Sequence, residues 1–255
     1  MKEKYIAGIY NYCDRWCERC TFTSRCRNYE GTSKLSPEQL DINNKAFWDN
    51  ISSNFTNALT LLHKMAKEKG IDLDAIPEEE TKEYEKRQLV LETAVKKHIL
   101  SKLCKQYQKI TMSFMKNSIS PELVDKTRDL VSQLHMGMKS EEEVVYTMAG
   151  LGDCEQIINW YLFFIDAKLQ RALLGKMEGE DWEVDNGYQK DSDGSAKIAL
   201  IAIERSIAAW SRLYELLPSS EDDALNALSL LQQLQQKAKE EFPNAMLFKR
   251  PGFDD

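Results

Sequence analysis

The sequence predicts an all-α fold: a helical bundle with an N-terminal Cys-rich metal-binding head. Apolar residues recur at intervals of three and four along most of the chain, which is the spacing of amphipathic helices. No segment alternates apolar and polar residues over a strand length, and no Asn-Gly hairpin separates β-branched runs. Four of the six cysteines fall within 14 residues, a density that favours metal binding in a cytosolic chain: Cys13, Cys17, Cys20 and Cys26.

Composition divides the 255 residues into three parts. Residues 1–35 are rich in cysteine and aromatic side chains and form the predicted head, 36–241 form the bundle, and 242–255 form an irregular tail. Ser36-Pro37-Glu38 is a typical helix start, with proline at the first helical position.

Seven bundle helices are expected. Their apolar stripes and glycine or serine boundaries place them at residues 44–69, 79–115, 121–135, 141–150, 154–174, 195–217 and 219–241. The helix over 195–217 is the most apolar and is predicted to lie at the centre of the bundle. Between two of these helices, residues 178–193 contain seven acidic residues and are predicted to form an exposed, mobile loop.

Charge and hydropathy suggest a compartment and narrow the class of partners. No apolar run has the length of a signal peptide or a membrane span, so we predict a cytoplasmic protein without membrane contact. The net charge of −7 disfavours nucleic-acid binding by the body, because duplex affinity comes from neutralising phosphates. Leucines within the Gln-rich run 230–236 share one helix face, which favours a bundle or dimer seam. A protein partner or self-association is therefore expected.

The cysteine spacing is Cys13-x3-Cys17-x2-Cys20-x5-Cys26. Four thiolates can bind either a [4Fe–4S] cluster or one zinc ion. Zinc ribbons and fingers use two separated Cys-x2-Cys pairs, whereas this segment has one such pair and all four cysteines on one short loop. The spacing therefore favours the cluster, with zinc as the alternative.

Residues 17–29, Cys17-Glu18-Arg19-Cys20-Thr21-Phe22-Thr23-Ser24-Arg25-Cys26-Arg27-Asn28-Tyr29, resemble the iron–sulfur loop of the endonuclease III and adenine glycosylase family. That loop has the order Cys-x6-Cys-x2-Cys-x5-Cys, so Cys17, Cys20 and Cys26 match in spacing, while the first gap is three residues instead of six. The resemblance implies a [4Fe–4S] cluster on the four cysteines and no glycosylase activity. The chain as a whole also resembles an uncharacterised bacterial helical protein, which implies no function.

A second local resemblance bears on nucleic-acid binding. Met148-Ala149-Gly150-Leu151-Gly152-Asp153 resembles the Gly-apolar-Gly turn of the helix–hairpin–helix motif, whose backbone N–H groups contact a phosphate. The nearby Asp153 and Glu155 would repel a phosphate, and a helix-ending glycine explains the turn as well. A zinc-stabilised helical nucleic-acid-binding or interaction protein remains the alternative, with the four arginines of residues 13–27 as the anion-binding surface.

Two carboxylates lie among apolar residues of predicted helices, Asp166 and Glu204. A carboxylate in such a place needs a partner, and Lys168, Arg171, Lys197 or Arg205 could supply a salt bridge. The Glu-x-x-His pairs of carboxylate-bridged di-metal bundles are absent. No catalytic residue is identified, so the sequence leaves enzymatic activity undecided, and Cys104 and Cys154 are expected to be core residues.

Overall fold

A computed structural model describes residues 4–73, 75, 77–117, 119–179 and 187–254, and 79 % of the chain is helical. Within these ranges there is no strand, which confirms the predicted all-α class. The helices are α1 (Arg27–Thr32), α2 (Pro37–Leu40), α3 (Lys45–Glu68), α4 (Glu78–Lys97), α5 (Ile99–Asn117), α6 (Ile119–His135), α7 (Glu141–Glu178), α8 (Asp191–Leu216) and α9 (Glu221–Glu241). None of these described helices has the length and apolarity needed to cross a membrane.

The chain divides into two compact units, Met1–Val90 and Leu91–Asp255. The first unit contains the cysteine head, α1 to α3 and most of α4, so it extends well beyond residue 35, where the composition changes. Helix α2 starts with Pro37 at its first position, as predicted. A capping box that was not predicted precedes it: the Ser36 hydroxyl accepts from the Gln39 N–H, and the Gln39 side chain accepts from the Ser36 N–H.

The second unit is a bundle in which α8 packs between α7 and α9. Helix α5 contacts both α7 and α9 and closes the ring, and α6 packs on α5 and α7. Helix α8 contributes fourteen buried residues, more than any other helix in the described ranges, as its apolarity predicts. Its Trp210 is fully buried and donates a hydrogen bond of 3.1 Å from Nε1 to the hydroxyl of Tyr107 on α5.

The prediction for the region of helix α7 is wrong. Two helices with a turn near Gly150 and Gly152 were expected, but a single 38-residue helix runs through both glycines. A glycine inside a helix costs only about 1 kcal/mol relative to alanine, so packing along α8 and the Ser140–Glu143 capping box can override it. The predicted end at Gly175 is also wrong, because the helix ends at Gly179, where φ is 89°.

The continuous form of α7 can be tested with Gly152→Ala. A Cβ at this position would meet no atom within 4 Å outside its own helix backbone. We therefore expect the substitution to raise the free energy of unfolding by about 0.5–1 kcal/mol, because alanine loses less backbone entropy in a helix. Urea unfolding followed by circular dichroism measures the change. A loss of stability would instead indicate that residues 150–152 form a turn.

The helix predicted over 79–115 is interrupted at His98, which separates α4 from α5. The Leu100 N–H donates to Nδ1 of His98 at 3.3 Å, and the Ser101 hydroxyl donates to the Val95 carbonyl at 2.7 Å. These side-chain groups replace hydrogen-bond partners that the helix backbone would otherwise supply. The helix can therefore be interrupted at this point without a glycine or a proline.

The loop formed by the acidic segment 178–193 is also shorter than predicted. Glu178 is the last residue of α7, and α8 begins at Asp191 instead of residue 195. Asp191 is tied to α7 by a bidentate ion pair with Arg171, at 2.7 and 2.9 Å. Residues 180–186 lie outside the described part of the chain.

The tail after α9 packs against α8. Phe242, Ala245 and Phe248 are buried. Lys197, only 8 % exposed on α8, donates to the Phe248 carbonyl at 2.6 Å and to the Asp254 carboxylate at 2.7 Å. Within residues 242–254 the chain forms one turn of 3-10 helix, Ala245–Leu247, and its backbone carbonyls and Asp254 satisfy a buried ammonium group.

This contact predicts a pH-dependent stability. Hydrogen bonds from Arg250 and Lys197 hold the pKa of Asp254 well below its usual range. The carboxylate therefore stabilises the fold above pH ~4, and this contribution is lost as the pH falls toward the lowered pKa. We expect Asp254→Asn to lower the free energy of unfolding by about 1–2 kcal/mol at pH 7 and by less at pH 3. Asp125→Asn, in an exposed pair with Arg128, should change little at either pH.

Candidate metal centre

Short turns organise the loop that contains the four cysteines. Cys17–Arg19 and Thr23–Arg25 each form one turn of 3-10 helix. The Cys20 N–H donates to the Cys17 carbonyl at 3.1 Å, and the Cys26 N–H donates to the Thr23 carbonyl at 3.2 Å. Cys17, Cys20 and Cys26 therefore lie at the ends of turns, where the chain reverses and side chains on either side of a turn can approach one another.

The structure brings the four thiols into electrostatic range. The charge of Cys17 interacts with those of Cys13, Cys20 and Cys26, and Cys13 in turn interacts with Cys26. Burial raises the pKa of the Cys13 and Cys17 thiols, and the neighbouring thiols raise both further. All four side chains are half-buried and free of disulfides. The loop thus presents four partly shielded thiols, and a bound cation would have to offset the effect of burial on their pKa values for them to become thiolate ligands.

Backbone N–H groups point at two of these sulfurs. The Phe22 N–H donates to Sγ of Cys20 at 3.4 Å, and the Arg15 N–H is hydrogen-bonded to the Cys13 thiol. Both donors lie two residues after the cysteine. Arg15 has a φ of 58°, the only positive φ of a non-glycine residue in the described chain. A residue held in this costly conformation next to a candidate ligand is typical of a functional loop.

The loop is fastened to the residues on both sides of it. The Ile6 N–H donates to the Arg25 carbonyl at 3.1 Å. Glu30 on α1 pairs with Lys4 at 3.3 Å and with Lys34 at 3.0 Å, and it accepts a hydrogen bond from the Tyr5 hydroxyl. These contacts hold the segment before Cys13 against the segment after Cys26.

Aromatic and basic residues surround the loop, with different exposures. Trp16 is 9 % exposed, and the guanidinium of Arg19 lies 3.9 Å from its ring centroid. Tyr10, by contrast, is 37 % exposed. The four arginines of the loop are all exposed: Arg15, Arg19, Arg25 and Arg27. Trp16 is therefore the buried aromatic side chain of the loop, and the arginines give the surface of the loop a positive charge.

Whether this loop suits a metal group depends on which side chains could act as ligands. In the described ranges, no three His, Cys, Asp or Glu side chains are arranged so that they could hold a metal ion. The chemistry of the loop nevertheless fits a thiolate-bound group. It combines four cysteines, two N–H groups directed at sulfur and exposed arginines that offset negative charge.

Asp166 and Glu204 have partners other than the predicted ones. Asp166 accepts hydrogen bonds from the side-chain amides of Gln170 and Gln108, at 2.8 and 3.2 Å. Glu204 is exposed and accepts from Gln235 at 3.2 Å, with Lys239 at 4.0 Å. The predicted salt bridges within the core are thus wrong in their partners. Amide donors replace them: Gln108 and Gln235 reach across from neighbouring helices, and Gln170 lies one turn after Asp166 on α7 itself. The spacing of Gln170 from Asp166 is visible in the sequence, whereas the other two donors depend on how the helices pack.

The two isolated cysteines are buried core residues, as predicted. Cys104 shares a hydrogen bond with Asp166, and burial raises the pKa of its thiol. Cys154 lies beside a groove of about 630 Å³ between α7 and α8, and burial raises its pKa to about 11. Two arginines line that groove, and both have partners in the fold: Arg205 donates to the Tyr161 hydroxyl and Arg212 pairs with Glu215.

Comparison with known proteins leaves the four-cysteine loop as the main basis for assigning a function. No protein-family model matches the chain, and no curated protein or solved structure matches it. The continuous α7 removes the turn on which the helix–hairpin–helix resemblance depends.

Proposed function

We propose that Cys13, Cys17, Cys20 and Cys26 bind a [4Fe–4S] cluster, and that this protein serves a structural, redox or sensing role through a protein partner. The placement of four half-buried cysteines, free of disulfides, on a single 14-residue loop of short turns is the observation that carries the proposal. A cubane accepts ligands at four corners, so a short continuous loop can enclose it.

Each part of the loop has a defined task in this proposal. The cluster supplies a four-point cross-link and a redox couple when it is bound. The N–H groups of Arg15 and Phe22 donate to sulfur and stabilise the thiolate form. Trp16 excludes water from one side of the loop, and the exposed arginines offset the negative charge of four thiolates.

The small core of the head supports a structural role. Between residues 4 and 35, Ile9 and Trp16 are the only buried side chains. A segment of this size buries too little apolar surface to offset its conformational entropy, and proteins of similar size use metals or disulfides for this purpose. A bound cluster would supply the missing stabilisation, because ligand binding that occurs only in the folded state adds to folding free energy.

Zinc on the same cysteines is the second candidate. It would require four sulfurs at about 2.3 Å from one ion, with the arginine-rich surface open to a nucleic acid or an acidic protein. Elemental analysis of protein purified without oxygen distinguishes the two. We expect about four iron and about four sulfide per chain, a brown colour and absorbance near 400 nm. A colourless protein with about one zinc per chain would contradict the cluster.

A further inference from the structure

Helix α3 has a stripe of large apolar side chains that the structure leaves exposed. Trp48, Phe55, Leu59 and Leu62 are between 50 and 67 % exposed. At about 100° per residue, these four positions lie within an arc of about 60° on one side of the helix. A contiguous apolar stripe of this kind on the surface is typical of an interaction site.

The charges along α3 and its flanks are distributed by sign. Residues 38–49 contain three acids and one lysine, residues 63–69 contain three lysines and one glutamate, and residues 50–62 contain no charge. Lys45 pairs with Asp49 and Lys64 pairs with Glu68 within α3. The excess negative charge therefore comes from the two acids before the helix and the excess positive charge from the two remaining lysines at its end, with the apolar stripe mainly between them. Such a surface is complementary to a copy of itself turned end for end.

We propose that α3 pairs in an antiparallel orientation with α3 of a second copy of this chain. In that arrangement a two-fold axis passes through the uncharged middle of the helix, and each acidic end lies beside the basic end of the partner. The two helix dipoles also run in opposite directions, which is favourable for neighbouring helices. The proposal is independent of which metal the cysteines bind.

The apolar surface on this side of α3 suits a weak dimer. Trp48, Phe55, Leu59 and Leu62 form the stripe, and Met65 lies beside it, about 90° from its centre. At roughly 100 Å² from each exposed portion, these five side chains offer about 500 Å² per copy. Two copies would bury about 1,000 Å², which is in the range of weak, transient interfaces.

Sedimentation of the full chain at about 50 µM tests the proposal, because this concentration populates a dimer of micromolar Kd. We expect a dimer, and we expect the double variant Phe55→Glu, Leu59→Glu to weaken its Kd at least ~10-fold by burying carboxylates. Phe163→Glu is the matched control, since Phe163 on α7 is 57 % exposed and lies outside α3. It should leave the Kd unchanged.

Charge reversal tests the orientation without altering the apolar stripe. Lys67→Glu with Lys69→Glu gives a chain with two acidic ends, and Glu38→Lys with Asp41→Lys gives a chain with two basic ends. At low salt, each variant alone should dimerise at least ~10-fold more weakly than the native chain, and an equal mixture of the two should regain the native Kd.

Three results would overturn the proposal. The native chain could remain a monomer throughout the concentration range. The dimer could persist unchanged in the Phe55→Glu, Leu59→Glu variant, while circular dichroism shows native helix content. The mixture of charge variants could fail to regain the native Kd. The native chain could be a monomer that loses thermal stability when Phe55 is replaced by glutamate. In that case the stripe packs against another part of the same chain.

Discussion

Replacement of Cys20 by alanine is expected to abolish metal binding and to unfold the head while leaving the second unit folded. Cys20 is the sulfur that accepts from the Phe22 N–H, and it closes the turn that begins at Cys17. Loss of one ligand leaves three thiolates and an open position, which solvent or oxygen can attack. Because Ile9 and Trp16 are the only buried side chains among residues 4–35, little else holds this segment together.

Hydrogen exchange measures this effect locally. We expect amides of residues 4–35 to exchange at least ~100-fold faster in Cys20→Ala than in the native chain, which corresponds to about 3 kcal/mol of local stability. Amides of α7 and α8 should keep their protection. Cys104→Ala is the control, because it removes a buried thiol from the bundle and should retain the full metal content. Retained metal in Cys20→Ala would exclude this residue as a ligand.

The same variant separates the two roles proposed for the cluster. A structural role predicts that the head unfolds when the metal is lost. A redox or sensing role through a partner predicts instead that the head keeps its protection and that only the visible spectrum and its response to reductant disappear.

Trp210→Ala is expected to cause the largest loss of stability in the second unit. The indole is fully buried, its ring centroid lies 5.2 Å from that of Phe114, and Nε1 donates to the Tyr107 hydroxyl. Removal creates a large cavity between α5 and α8 and leaves the buried Tyr107 hydroxyl without this donor. Together these effects should lower the free energy of unfolding by about 4 kcal/mol.

Urea unfolding followed by circular dichroism tests this value. Trp210→Phe should cost clearly less, because the aromatic ring remains and mainly the hydrogen bond is lost. Tyr146→Ala is the exposed control, since this side chain is 71 % exposed on α7 and should change stability by no more than about 0.5 kcal/mol. A loss below about 1 kcal/mol for Trp210→Ala would show that this part of the core is loosely packed.

Apolar stripes predicted most of the helical residues correctly, but not always the ends of the helices. The predicted helix over 44–69 agrees with α3 to within a residue at each end. The errors occur where a local signal is weaker than tertiary packing. Gly150 and Gly152 indicated a turn, but contact with α8 keeps the helix continuous. His98 gave no signal of a break, because its ring and the Ser101 hydroxyl replace backbone partners only once the side chains are placed.

The metal site was predicted from spacing alone, which identifies ligands but not their surroundings. Sequence could not show that Arg15 adopts a positive φ, or that the Phe22 N–H is directed at the Cys20 sulfur. It also could not show that Tyr10 stays exposed while Trp16 is buried. These features depend on the turns between the cysteines, which contain few residues with strong turn propensity.

X-ray absorption at the metal edge of the anaerobically purified native chain tests the central claim most directly. A [4Fe–4S] cluster on Cys13, Cys17, Cys20 and Cys26 predicts an iron edge with iron–sulfur scattering and a second shell of iron–iron scattering. A zinc edge with four sulfurs at about 2.3 Å and no metal–metal shell would contradict the cluster and establish the zinc alternative.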